Sequence, residues 1–185
     1  LASTYGSSFE ETLALAADIA ATGAEGNDLL AATAETTRLA TLGEVDRQEA
    51  MKATLALQSA FKLNTVELTQ SIDFLNSVEN QTSTTLQDLV EAIPKAGPVI
   101  KGLGGDVKTL ALFLTAMREG GINAAEGANA LKSGLGSLIN PSKNATERLA
   151  GFGINVSEIV NSNAGDLVGL VMDLQKALDK LDPLQ

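Results

Sequence analysis

Five of the helices expected in this chain open on a residue able to cap a helix, followed three places later by Glu or Gln, with an apolar run at helical spacing behind it. The pairs are Ser8/Glu11, Asp46/Glu49, Asn64/Glu67, Thr84/Gln87 and Asn123/Glu126. Glycines stand where those runs should end, at Gly23, Gly43 and the Gly120–Gly121 pair. Punctuation this dense leaves room for a series of short helices and little else. The spacing predicts helices over 8–22, 27–42, 46–62, 64–80, 84–92, 95–103, 106–119, 123–139, 142–151 and 166–181. No long segment alternates apolar and polar residues, and residues 154–165 have room for one tiny hairpin at most. The expected fold class is all-α, a compact bundle of about nine to ten short helices.

The side chains available to fill that bundle are small. Leu and Ala number 28 and 27, against five Phe, one Tyr and no Trp. Such a core favours helices packed at close range. Cys and His are both absent. That removes thiolate and imidazole chemistry, disulfides and nearly every transition-metal site, and it leaves the redox compartment open.

The chain changes character near its middle. Residues 44–96 contain no glycine, whereas 13 of the 17 glycines come afterwards. Pro94 and Pro98 bracket Lys-Ala-Gly there, and residues before proline avoid the α region, so a bend is expected. Two halves result: an acidic helical half over 1–93 and a glycine-rich helical half over 94–185, joined as one continuous domain. Residues 1–92 hold 14 acidic and 4 basic side chains, while residues 93–185 hold 9 of each. The net charge of −10 therefore resides in the first half. An acidic surface repels phosphate, which disfavours nucleic-acid binding, sequence-specific binding included. A shift of 78 residues aligns Gly26 with Gly104, Gly43 with Gly121 and Leu57 with Leu135, which suggests two similar helical halves.

Glycine also occurs inside a predicted helix. The aliphatic stripe of 123–139 is Ala124, Ala128, Leu131, Leu135 and Leu138, and Gly127 and Gly134 lie beside it with Ala130 between them. Each such glycine costs about 1 kcal/mol relative to Ala. A chain accepts that where another backbone passes close by. Gly120, Gly121, Gly127, Ala130, Leu131, Gly134 and Leu138 are thus candidate packing residues. Two readings stay open: contact within this chain, or a seam for another subunit.

Reactive constellations are hard to find. Glu10 and Glu11 fall in the first turn of a helix, where carboxylates complement the dipole. Asp166, Asp173, Asp179 and Asp182 read as a solvated face, without the alternating oxygen ligands of a calcium loop. Gly-Leu-Gly-Gly at 102–105 opens a helix but lacks the preceding strand and the following Lys-Ser/Thr of a phosphate cradle. Tyr5 has no sequence neighbour that would activate it. No catalytic, cofactor or metal site is expected, and the chain reads as a non-enzyme. The uncharged run TLALFLTAM, 109–117, is far shorter than the roughly 20 residues needed to span a bilayer. The last helix carries Leu167, Leu170, Val171, Leu174, Leu178 and Leu181 on one stripe, suited to a bundle or coiled-coil partner. The chain begins at Leu1 with no signal-peptide pattern, which suggests a piece of something longer.

The order of these signals resembles a known family. KAGPVIKGLG (95–104) precedes LALFLTAM (110–117), then REGGINAAEGANALKSGLGSLINPS (118–142) and ERLAGFGI (147–154). Upstream stands TRLATLGEVDRQEAMKATLALQSAF, 37–61. The pattern is similar to the core domain of phage tail tape measure proteins, also called phage minor tail proteins, over roughly residues 8–180. Gly121-Ile122, Ala130-Leu131, Leu135, Leu138, Pro141, Leu149 and Gly153-Ile154 occupy the family's small-residue and leucine positions. Phe152 stands where Leu is common, and 155–165 lacks a central glycine turn. The resemblance implies a structural virion protein of the phage tail, made in the bacterial cytoplasm. It implies roles in tail assembly, tail length and genome ejection, with tail tube, tail tip or baseplate proteins and assembly chaperones as partners, and self-association. Alternatives are a helical adaptor or secreted effector domain outside phages, a cell-wall-degrading domain, and a segment that inserts into membranes.

Overall fold

The structure, a computed structural model, describes residues 8–181; Tyr5, Asp182 and Leu184 lie outside them. Among the described residues every regular element is a helix. There are ten: α1 Phe9–Ala20, α2 Gly26–Leu42, α3 Arg47–Phe61, α4 Thr65–Gln81, α5 Leu86–Gly102, α6 Val107–Glu119, α7 Ala124–Ile139, α8 Lys143–Gly151, α9 Val156–Ser162 and α10 Leu167–Leu178.

Local capping explains most of the starts. Ser8 with Glu11, and Asn64 with Glu67, form complete capping boxes. Asp46 takes the backbone N–H groups of Gln48 and Glu49, but Glu49 turns away to accept from Gln87 Nε2 at 2.9 Å. Asn123 accepts from the Glu126 backbone. The pair Thr84/Gln87 is off by one residue. The cap is Thr85, boxed with Asp88, while Thr84 is buried and its hydroxyl donates to Thr115 Oγ1 at 3.1 Å. Burial of the adjoining Leu86 draws the helix start inward by that one position.

Two expectations are corrected. The break between 92 and 95 does not occur, and α5 runs unbroken through Pro94 and Pro98. The two prolines are four residues apart and both exposed, so the gaps they leave in the hydrogen-bond ladder share one outer edge. The rest of α5 is the centre of the molecule, with Leu86, Leu89, Val90, Ala92, Ile93, Ala96, Gly97 and Ile100 buried. Burying a large aliphatic side chain contributes roughly 1.5–3 kcal/mol. Five of them outweigh an interior proline's cost of about 3 kcal/mol, even twice over. Residues 154–165 form no hairpin; they hold α9, capped by Asn155, which accepts from the Glu158 backbone at 3.2 Å.

α5 packs most extensively against α7 and α3, with α4 and α6 closing the core around it. Leu57 and Phe61 of α3, Leu68 and Ile72 of α4, Leu110 and Leu114 of α6, and Leu131 and Leu135 of α7 complete that core. α1 lies on a satellite cluster, where Leu15 and Ile19 meet Ala32 of α2, with Met51 and Leu55 of α3 alongside. At the other end, α8 buries none of its residues. α9 reaches the core through Ile159 and Val160, and α10 through Leu167 and Leu170.

Candidate functional site

The turn before α7 is built by glycine for a conformational reason. Gly120 caps α6, and Gly121 follows with φ +84°, a left-handed value that suits only a residue without Cβ. The Ile122 N–H then reaches the Met117 carbonyl at 2.9 Å and the Gly121 N–H reaches Arg118 at 3.0 Å. This is the paired hydrogen-bond closure of a Schellman motif. The same closure recurs after α5 around Gly104 and after α8 around Gly153. After α2 the Val45 N–H reaches the Ala40 carbonyl at 3.1 Å around Glu44, which takes φ +49° next to Gly43. Gly43 and Gly121, aligned by the 78-residue shift, thus sit one position apart in their motifs.

Along α7 the candidate residues separate into two groups. Gly127 is buried, and a Cβ there would lie 3.1 Å from Met117 Sδ and 3.8 Å from Leu114 Cδ2. Its missing side chain lets α6 approach. Leu131 is buried in the main core, and Leu138 is half-buried against it. Ala130 and Gly134 are exposed, with nothing within 4 Å of a Cβ at Gly134. Gly136 meets nothing within that distance either.

Approaches as tight or tighter lie elsewhere. A Cβ on Gly97 would stand 3.1 Å from Phe61 Cε2, so this glycine seats the α3 ring against α5. At Gly43 a Cβ would meet Leu86 Cβ at 2.8 Å. Gly104, at φ +85°, lies so close to Gly165 that a Cβ would fall 2.3 Å from its Cα. There two backbones touch, and the α9–α10 turn is held against the end of α5. The Gly-Leu-Gly-Gly run thus serves packing between helix ends. Nothing local marks Gly165 as its partner, 61 residues away in the chain.

Polar groups are mostly spent on the helices themselves. Glu35 is buried between α2 and α4, where it accepts from Thr69 Oγ1 at 2.7 Å and pairs with Arg38, which also pairs with Asp73. Hydrogen bonds from the Ser8 backbone and hydroxyl, with Arg47 beside it, hold the Glu11 carboxyl below its ordinary range. For Asp106, burial pushes upward, but hydrogen bonds from Thr109 and the charge of Lys108 leave it lowered. Asp173 is lowered by hydrogen bonds from Lys176 and Asn163. Asp166 caps α10 by accepting from the Gly169 N–H at 2.9 Å, and Asp179 closes that helix at its other end. Among the described residues no three carboxylates gather closely enough to hold a metal ion, and no helix is long and apolar enough to cross a membrane.

Fold and site together define a class: an all-helical structural module whose glycines and acids serve helix contacts and helix ends. Comparison with known sequences places it further. Residues 1–185 match the family described as phage-related minor tail protein, and the chain belongs to that family. It is also 22% identical, over 162 residues, to the probable tape measure protein of Escherichia phage P2. That alignment covers 88% of this chain and 20% of the relative, so the chain spans about a fifth of the relative's length. No solved structure matches it. The family is one of phage tail structural proteins and not a known enzyme family.

Proposed function

We propose that this chain is a folded structural module of a tape measure protein. It acts in tail assembly, tail-length determination and genome ejection through contacts with itself, tail tube and tip proteins, and chaperones. The observation that carries this reading is the family match along the whole of residues 1–185. The ten-helix architecture supports the word module. As one continuous helix, 185 residues would span about 280 Å at 1.5 Å per residue. Capped turns fold the described residues, 8–181, back on one another instead. Within the module we read 1–93 and 94–185 as acidic and glycine-rich halves of one body, with α5 crossing the join.

Duplicating this segment in frame, in the full gene of the phage that carries it, tests the reading. Tails imaged by electron microscopy should change in length or fail to assemble. A length change well below about 280 Å marks a folded module, and one near that figure marks a continuous helix. Normal tails with normal infectivity would overturn the proposal.

A further inference from the structure

Among the ten described helices, α2 is the one whose N-cap makes no side-chain hydrogen bond. Glu25 holds that position without capping it, and Gly26 behind it takes φ +55°. Thr33, Thr36, Thr37 and Thr41 lie along the helix, and β-branched residues lower helix propensity.

The buried face of α2 is polar as well. Four of the six buried polar or charged residues among the described ones are its own: Thr33, Glu35, Thr36 and Thr37. The hydroxyls of Thr33 and Thr37 return to carbonyls of their own helix, each at 2.8 Å. Those of Thr36, and of Thr54 on the adjoining α3, are fully buried with no hydrogen-bond partner among the described residues. A buried hydroxyl left unpaired weakens the contact in which it lies.

The main core gains little from this end of the chain. Among buried residues α2 contributes Leu39 to it and α1 contributes none. α1 rests chiefly on α2, through Leu15, Ile19 and Ala32. Apart from Met51 and Leu55 under that satellite cluster, the seam between this pair and α3–α4 is largely polar. Glu35 accepts from Thr69, Arg38 pairs with Asp73, Arg47 pairs with Glu11 at 3.3 Å, and Gln48 Nε2 donates to Asp18 at 3.1 Å. Exposed pairs such as Arg47–Glu11 contribute little. Past Arg38 the chain is fixed again: Leu39, Ala40 and Val45 join the main core, and Gly43 lies tight against Leu86.

We propose that residues 9–38, α1 with most of α2, open as one unit while α3–α7 stay folded. They form a strap on the core, released at Leu39–Val45, and its opening bares Met51 and Leu55 of α3.

Native-state hydrogen exchange on the 185-residue chain tests this. Slow amides of α1 and α2 should share one opening, about tenfold or more as frequent as that of α5. Thr36→Val, alike in shape but without the hydroxyl, should slow exchange in both helices together, roughly tenfold. Ile93→Val trims the core under α5 and is mild enough to keep the fold. It should speed exchange in α5 roughly fivefold and leave α1 and α2 unchanged, because their opening does not pass through the core. Exchange of α1 and α2 at the rate of α5 overturns the proposal, as does Ile93→Val speeding every helix alike. So does Thr36→Val that leaves α1 and α2 unchanged or speeds them, the result expected if the hydroxyl is satisfied in solution. A response in α2 without α1 overturns the single unit.

Discussion

Helix α5 holds two prolines and two glycines yet buries eight of its residues, whereas α8 holds no proline and buries nothing. Intrinsic propensity would rank them the other way. The difference lies in what surrounds each. α5 is flanked by α3 and α7 and shares the main core, so its order comes from tertiary contact. α8 rests on local features: the Ser142 cap, the Gly153 closure and a surface pair between Lys143 and Glu147 at 3.8 Å. Stability in this molecule follows burial, and it should fall off from α5 toward the C-terminal helices.

Substitution in the core should show the largest effect. Ile93→Ala empties a fully buried position on α5 and should cost about 2–5 kcal/mol in urea unfolding. Leu149→Ala on α8, where the side chain is half-buried, should cost less than about 1 kcal/mol. Equal losses would erase the contrast. Next comes the join between the two regions. Gly104→Ala places a Cβ against Gly165 and at a left-handed φ, for a loss of about 1–3 kcal/mol. Hydrogen exchange should then speed up over residues 156–178 and leave α5 unchanged; uniform acceleration would show that the C-terminal helices are not a separate unit. The smallest effect should be a gain. Gly134→Ala, on open α7 surface, should stabilise the chain by about 0.5–1 kcal/mol, and a loss there would mean that the site is covered.

Much of the architecture could be read in advance because helix ends are chemically local. A cap and the residue three places on lie within one turn, so Ser8/Glu11 and Asn64/Glu67 announce their helices without help from the rest of the chain. α9 carries the same signature in Asn155 and Glu158, and it was legible to anyone who applied the rule there. The candidate glycines were legible only as a type. Gly121 serves its turn for a local reason, the sign of φ. Gly127 and Gly134 look alike in sequence, and what sets them apart is that Met117 stands over one and solvent over the other.

By itself, then, the sequence determined the all-helical class, most of the helix ends, the absence of thiol and imidazole chemistry and the resemblance to a phage tail family. Each of these depends on composition or on residues within a few positions of one another. Tertiary structure alone decided that α5 continues through Pro94 and Pro98, that Gly97 seats Phe61, and that Gly104 meets Gly165. Those outcomes rest on burial and close approach between distant segments, whose energies exceed the local preferences of the residues involved.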